Sequence, residues 1–256
     1  MERLDVFLVN NSYYQSREKA HQAIKKGIVE VDGKVVTKPS TLTSIESEIK
    51  ILEVMLPYVS WGGMKLERAI KYFNLDFKDK VVLDIGASTG GFTDCALQHG
   101  AKMVYAVDVG TNQLDQKLRY DLRVRSYENT NICDFNEPIN FDYLVMDVSF
   151  VSITKIIPSL LKFLNDDNSL VCLFKPQFEV GKIKIKNGVI KDPKIHKNVV
   201  VMLINFINEL GLYVNDLTFS TQKGKSGNIE YLALISKRNN NKNYNIDKII
   251  EESHKM

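Results

Sequence analysis

Hydrophobic and polar positions follow two rhythms in the first part of this chain. Ala20, Ala23 and Ile24 recur at i, i+3 and i+4, the apolar stripe of a helix. Ser16 stands in front as an N-cap, Glu18 falls in the first turn and Lys25-Lys26 in the last, as the helix dipole prefers. This predicts a helix over 17–26, stopped by Gly27 in the left-handed conformation. Val29-Glu30-Val31-Asp32-Gly33-Lys34-Val35-Val36 then alternates with period two around Asp-Gly, which predicts a hairpin. Pro57-Tyr58-Val59-Ser60-Trp61-Gly62-Gly63 breaks both rhythms and reads as a linker.

Beyond the linker, helical and strand patterns alternate. Leu66, Ala69, Ile70 and Phe73 keep helical spacing over 64–73. Apolar runs at 81–85, 104–107, 141–146, 170–174 and 229–235 read as strands, and most stop abruptly at glycine or a charged residue. Strand, glycine turn, helix and second strand over 81–108 open a nucleotide-binding α/β sheet. The turn is Gly86-x-x-x-Gly90-Gly91, which is not the G-x-G-x-x-G of dinucleotide enzymes. Asp108 follows it by about twenty residues, where an acid commonly accepts ribose hydroxyls. Asp192-Pro193 starts a further helix whose Val199, Val200, Leu203, Ile204, Ile207 and Leu210 face a core, closed by Gly211. The expected organisation is a small α+β domain at 1–56, a linker at 57–63 and an α/β domain at 64–237. A polar tail at 238–256 is expected to be disordered around Asn239–Asn245 and to carry a frayed helix after Ile246.

Composition narrows the picture only slightly. Of the 256 residues, 44% are hydrophobic and 25% charged, with a formal charge of +3, the profile of a soluble globular protein. The first residues are charged and carry no apolar signal segment. The longest clean apolar run, 199–204, is far too short to span a bilayer, so a cytoplasmic protein with no membrane partner is expected. Cys95, Cys133 and Cys172 are far apart and fit reduced thiols rather than a zinc site or disulfides; no metal is expected. Six lysines lie within 182–197 against one aspartate, whereas 1–56 balances eight basic against eight acidic residues. Any attraction of the N-terminal unit for phosphate must therefore come from one face, with Arg17, Lys25, Lys26 and Lys38 as candidates. Lys182 and Lys225 are candidates from the basic loops of the large domain; a solvated surface explains each of these singly as well.

Candidate chemistry comes from the strand ends. In an open parallel sheet the carboxyl ends line the ligand crevice. Asp147 after 141–146 and Lys175 after 170–174 therefore share an edge with Gly86 and Asp108, and Lys65 opens the helix leading toward the glycine turn. Plainer roles exist: a solvated lysine at a strand end, Asp147 as a helix cap, Glu230 paired with Lys225.

Several motifs carry a family resemblance. Residues 1–56 resemble the RNA-binding fold named after ribosomal small-subunit protein four. Asp84-Ile85-Gly86-Ala87-Ser88-Thr89-Gly90-Gly91-Phe92-Thr93-Asp94, Asp108-Val109-Gly110, Asp147-Val148-Ser149-Phe150, Phe174-Lys175-Pro176-Gln177-Phe178-Glu179 and Gly227-Asn228-Ile229-Glu230-Tyr231 resemble the TlyA family over residues 2–236. That family comprises ribosomal RNA cytidine 2′-O-methyltransferases with an FtsJ-like catalytic domain, historically labelled hemolysins. The resemblance implies a class I, Rossmann-like methyltransferase sheet whose antiparallel last strand begins on the crevice edge, which adds Glu230 there. It implies a Lys65-Asp147-Lys175-Glu230 tetrad and S-adenosyl-L-methionine as cofactor. Asp84, Gly86, Ala87, Ser88, Gly90, Gly91, Phe92 and Asp108 would hold that cofactor, with Asp134 on its adenine. Ribosomal RNA or ribosomal subunits are the implied partner, and a monomer is favoured. Trp61 departs from the family, which usually has arginine there; it either stacks on a base or packs between the domains. Lys175, crowded by Lys65, is expected to act uncharged as the base toward a ribose hydroxyl, with Asp147 and Glu230 orienting the amines.

Other readings fit less well. Cytosine C5 chemistry needs a nucleophilic cysteine, usually beside proline. Amino-group methylation usually shows an Asn/Asp-Pro-Pro-aromatic turn, and pseudouridine synthases carry a Gly-Arg-Leu-Asp strand missing here. From another class, a non-catalytic ribosome assembly factor is the alternative, which a cofactor titration would separate. A membrane-lytic role has no amphipathic or spanning segment behind it.

Overall fold

The computed structural model describes residues 1–14, 16–52, 56–181, 188–224 and 226–256. Lys182, Lys184, Lys186 and Lys225, among the basic residues considered above, lie outside the described residues. The chain divides into two units, Met1–Leu56 and Pro57–Met256.

In the first unit, Leu4, Phe7 and Leu8 repeat at i, i+3 and i+4, and all are buried on α1 (Leu4–Asn10). That helix follows the short strand β1 (Glu2–Arg3) and went unread in the sequence, although its spacing was a usable signal. Ser16 caps α2 (Arg17–Lys25), accepting from Lys19 N at 3.3 Å, and Ala20, Ala23 and Ile24 are buried as expected. Asp32 and Gly33 both adopt positive φ, 50° and 74°, the turn that matches strand twist in a two-residue hairpin. They join β2 (Val29–Val31) to β3 (Lys34–Val35), and β5 (Ile49–Ile51) pairs antiparallel on the other side of β2. The strand β4 (Leu42–Thr43) pairs with β1.

The second unit is built around a seven-stranded sheet. Its elements are α3 (Gly62–Phe73), β6 (Val81–Ile85), α4 (Gly91–Gln98), β7 (Met103–Val107), α5 (Gln116–Arg119), β8 (Val124–Tyr127), β9 (Tyr143–Met146), α6 (Ile157–Leu160), β10 (Ser169–Phe174), α7 (Pro176–Glu179), α8 (Pro193–Glu209), β11 (Tyr213–Phe219), β12 (Tyr231–Ser236) and α9 (Ile246–His254). The strand order is β11-β12-β10-β9-β6-β7-β8. Strands β6 to β10 run parallel, and β12 enters antiparallel between β10 and β11. One apolar cluster, including Leu144, Phe174, Leu203 and Tyr231, packs one side of the sheet; another, including Leu66, Phe92, Val104 and Leu232, packs the other.

Some expectations change. The linker read over 57–63 ends earlier, because Gly62 and Gly63 already lie in α3, where a Cβ on Gly63 would fall 2.4 Å from the Tyr58 side chain. The strand read from Phe141 starts at Tyr143, and just before it the Asp142 carboxylate accepts from Val81 N (2.8 Å) and Lys80 Nζ (3.1 Å). The 239–245 run read as disordered is tied down instead, and the helix expected after Ile246 is present as α9. Asn215 bonds Arg238 O (2.8 Å) and Asn240 N (3.0 Å), Lys242 pairs with buried Asp216, and α9 buries Ile249, Ile250 and Ser253. Its apolar residues Ile246, Ile249 and Ile250 sit at helical spacing behind the cap Asn245, so burial on α8 is worth more than the polar run suggested.

Candidate active site

Sheet register decides what meets at the carboxyl edge. Ile85 pairs with Met146, so Gly86 and Asp147 leave neighbouring strands side by side. A Cβ on Gly86 would fall 3.0 Å from Asp147 O, and its φ is +79°; glycine is needed there for close approach and for turning. Gly90, at φ +95°, would drive a Cβ to 2.2 Å from Leu118 Cδ1. These glycines fit the turn against its own protein neighbours.

The turn is held from the next strand. Asp108, just past β7, accepts from Ser88 N at 2.8 Å and Gly110 N at 2.7 Å, one on each carboxylate oxygen. A carboxylate has about four acceptor positions, so Asp108 can still take a pair of hydroxyls. Asp84 is fully buried beneath the turn, with Oδ2 accepting from Thr93 Oγ1 at 2.6 Å and Oδ1 unpartnered among the described residues. Burial pushes its carboxyl up to about 7, against the Thr93 hydrogen bond. A spare buried acceptor and a diol-ready acid beside a left-handed turn suit an amino-acid-bearing nucleoside. Ala87, Phe92 and Gly91 are buried; Phe92 packs into the core with Leu66 and Ala69. Asp134 stands exposed in a turn after β8, with its N–H bonded to Asn131 O.

The four ionisable candidates come together. Lys65 Nζ lies 2.5 Å from Glu230 Oε2 and 3.9 Å from Asp147 Oδ2. Lys175 Nζ lies 2.5 Å from Asp147 Oδ1, an ion contact, and donates to Ser149 Oγ at 2.8 Å. Lys65, Lys175 and Glu230 are all buried. A buried ammonium is costly unless paired. Burial opposes the charge on Lys65, but Asp147 and Glu230 outweigh it and raise its pKa, so Lys65 stays protonated at neutral pH.

Supporting residues escaped the sequence reading. Ser149 and Gln177, which donates to Glu230 Oε1 at 3.4 Å, lay inside quoted motifs without a role. A Cβ on Gly224 would come 2.4 Å from Glu230 Oε1, so the glutamate occupies the space a side chain would need. Phe150 is 91% exposed, adopts φ +66° and lies 5.2 Å from the Phe178 ring.

The proposed RNA contacts are spread more widely. Lys25, Lys26 and Lys38 are exposed. Arg17 donates from Nε to Asp5 at 2.9 Å, and Arg3 grips the same carboxylate; the Arg3 hydrogen bond is the main cause holding Asp5 down to about 2. Trp61 precedes α3 and is 38% exposed. Among the described residues no cluster could hold a metal, and no helix is long and apolar enough to cross a membrane.

A parallel sheet with one antiparallel strand inserted beside its edge, joined to a glycine turn and a strand-end acid, defines a Rossmann-like methyltransferase. The chain belongs to the FtsJ-like methyltransferase family, whose model matches residues 58–237, and an S4 domain matches residues 2–49. It is 44% identical to Hemolysin A of Brachyspira hyodysenteriae, covering 90% of this chain and 98% of that protein. It is 37% identical to the 16S/23S rRNA (cytidine-2'-O)-methyltransferase TlyA of Mycobacterium tuberculosis, covering 90% and 87%. A solved structure from Streptococcus thermophilus, named as a hemolysin, superposes with a TM-score of 0.78 at 42% identity, covering 99% of this chain and 96% of that one.

Proposed function

We propose that this methyltransferase methylates the ribose 2′-hydroxyl of a cytidine in ribosomal RNA, using S-adenosyl-L-methionine. The observation that carries this reading is the Lys65-Asp147-Lys175-Glu230 cluster at the carboxyl edge, beside the turn held by Asp108. Asp108, the turn 86–91 and Asp84 would hold the cofactor, with Asp134 toward its adenine. When bound, S-adenosyl-L-methionine supplies a methyl carbon on a positively charged sulfur, a strong electrophile.

The residues supply the rest. A ribose hydroxyl is a poor nucleophile until its proton is being withdrawn. An uncharged lysine has two N–H groups and one lone pair. Having given up its ammonium proton, Lys175 would keep one N–H on Ser149 Oγ at 2.8 Å, lie 2.5 Å from Asp147 Oδ1, and turn its lone pair to the hydroxyl proton. Lys65, protonated and held by Glu230, keeps Asp147 oriented and places positive charge where the oxygen develops negative charge. Alignment of hydroxyl and methyl contributes much of the rate. Phe150 offers a fixed exposed ring on which a base of the substrate strand stacks. The S4 domain, with Arg17, Lys25, Lys26 and Lys38, supplies sequence-independent phosphate contacts.

The test is to incubate purified protein and cofactor with ribosomal subunits lacking the modification and to map 2′-O-methylated cytidines by mass spectrometry. Wild-type protein should produce one or a few, and Lys175→Ala should lose about 10²–10⁴-fold in turnover. No methylated ribose, or a Lys175→Ala enzyme of near-normal turnover, would overturn the reading.

A further inference from the structure

Glu179 ends the Lys175–Glu179 segment, and its carboxylate is engaged by two partners outside the four clustered residues. Its Oε1 accepts from Ile153 N at 2.9 Å and its Oε2 from Ser152 Oγ at 2.5 Å. Both partners lie just past Asp147-Val148-Ser149-Phe150, on the loop leaving the neighbouring strand. The two loops meet at three further points: Lys175 with Asp147, Lys175 with Ser149, and Phe178 with Phe150.

We infer that Glu179 is the positioning residue that fixes the 147–152 loop against α7, and thereby sets Ser149 and Phe150 relative to Lys175. Three considerations support it. First, Phe150 holds a positive φ, which is strained for a bulky residue and persists only where the surroundings impose it. The Glu179 bonds to residues 152 and 153 anchor the loop on the side away from the sheet, and Asp147 N on Ile85 O at 3.1 Å anchors the other. Second, the part-buried Ile153 N–H has the carboxylate as its acceptor, so removing the carboxylate strands it at a cost. Third, Ser152 Oγ is itself bonded to Thr154 at its hydroxyl (2.7 Å) and accepts from Thr154 N (3.2 Å), so the clamp sets the start of the following 3-10 turn at Ile153–Lys155 as well.

The role is geometric rather than ionic. Burial pushes the Glu179 carboxyl above its ordinary range, partly offset by Ser152 and Ile153. An amide preserves both links: its oxygen accepts Ile153 N–H, and its NH₂ donates to Ser152 Oγ, whose own proton turns to Thr154 Oγ1. Glu179→Gln should therefore behave like wild type, and Glu179→Ala should not.

As a positioning role for the reaction, this rests on the methyl-transfer reading above, so two measurements are paired on the full-length chain. Hydrogen exchange by mass spectrometry reads the loop directly. Glu179→Ala should accelerate exchange across 148–154 at least tenfold, leave peptides over 84–92 unchanged, and be reversed in Glu179→Gln. Turnover on ribosomal subunits should fall at least tenfold in Glu179→Ala, with cofactor affinity within about twofold of wild type and Glu179→Gln retaining at least half of kcat. Unchanged exchange in Glu179→Ala would overturn the clamp. Faster exchange with unaltered kcat, or equal loss in both variants, would overturn its positioning role. A wild-type chain that methylates no ribose would instead overturn the substrate reading, and the exchange measurement would still decide whether Glu179 holds the loop.

Discussion

Phe174 and Tyr231 face each other in antiparallel register at the end of β10 and the start of β12. Lys175 lies one residue beyond the first, and Glu230 one residue before the second. That single pairing carries an amine and a carboxylate from positions 55 residues apart in the chain to the same edge of the sheet. Glu230 then meets Lys65 from α3, and Asp147 completes the cluster from β9.

The Lys65–Glu230 pair makes a double-mutant prediction. Glu230→Gln removes the nearer carboxylate and leaves the buried ammonium to pair with Asp147 at 3.9 Å; breaking a buried pair from one side costs about 3–5 kcal/mol. Lys65→Met in the same chain removes the stranded charge and should recover most of that loss. Turnover should stay depressed at least tenfold in both single variants and in the double. Urea unfolding and a methylation assay check the two halves. Strictly additive stability losses would show that the pair does not interact as the 2.5 Å contact requires.

How far the sequence led can be judged element by element. The β6–turn–α4–β7 unit was legible because apolar runs ended sharply at glycine and Asp108, a local signal. Asp147 and Lys175 were legible because each directly follows a parallel strand. Glu230 was different: only the family resemblance supplied the antiparallel strand that brings it to the edge. Ser149, Gln177, Gly224 and Glu179 were not legible as partners, because each acts through a neighbour on another loop, and no periodicity encodes such contacts. The 239–245 run was not legible for a related reason. A polar Asn-rich run looks disordered locally, yet Asn215 and Asp216 of β11 bind it from more than twenty residues away.

Asp84 predicts a pH dependence of stability. Burial pushes its folded carboxyl up to about 7, against about 3.9 in an unfolded chain. Between those values the folded state holds a proton that the unfolded state has released, so stability falls as pH rises from about 4 to about 7 and then levels off. The loss between pH 5 and 7 should be of order 2 kcal/mol in cofactor-free protein. Asp84→Asn, which keeps an acceptor for Thr93, should flatten this slope. Thermal melts at pH 5, 6 and 7 decide it; parallel slopes for the two proteins would reject the assignment.

Tyr231 links the carboxyl edge that carries the candidate site to the C-terminal helix. Its hydroxyl lies 3.0 Å from His196 Nδ1 and 3.2 Å from Ser253 Oγ, all within the core. His196 Nε2 lies 3.1 Å from Ile190 O. Nε2–H therefore donates there, and Nδ1 is left to accept the tyrosine proton. Tyr231→Phe leaves that nitrogen buried and unpaired, at a cost of about 1–3 kcal/mol. Ending the chain at residue 237 removes α9 and uncovers the face that Ile249 and Ile250 cover, and should destabilise the large unit further. Guanidinium unfolding of both variants should rank them in that order. A truncated chain as stable as the full one would contradict the packing of α9.

Phe150 sets stability against activity at one position. It holds φ +66° with its ring 91% exposed, so the chain bears backbone strain without gaining burial from the side chain. Glycine adopts that conformation without the Cβ clash, and although it adds entropy to the unfolded chain, relief of strain should dominate. Phe150→Gly should therefore raise the melting temperature by a few degrees. The same change removes the exposed ring proposed above to stack on a base, a contact that would be worth about 1–3 kcal/mol. Its kcat/KM on ribosomal subunits should fall about 5- to 100-fold, while cofactor affinity stays within about twofold. Phe150→Tyr should keep activity and show no gain in stability. A glycine variant that loses stability would mean the surrounding loop needs the ring for packing against Phe178, and one that keeps full activity would remove Phe150 from substrate recognition.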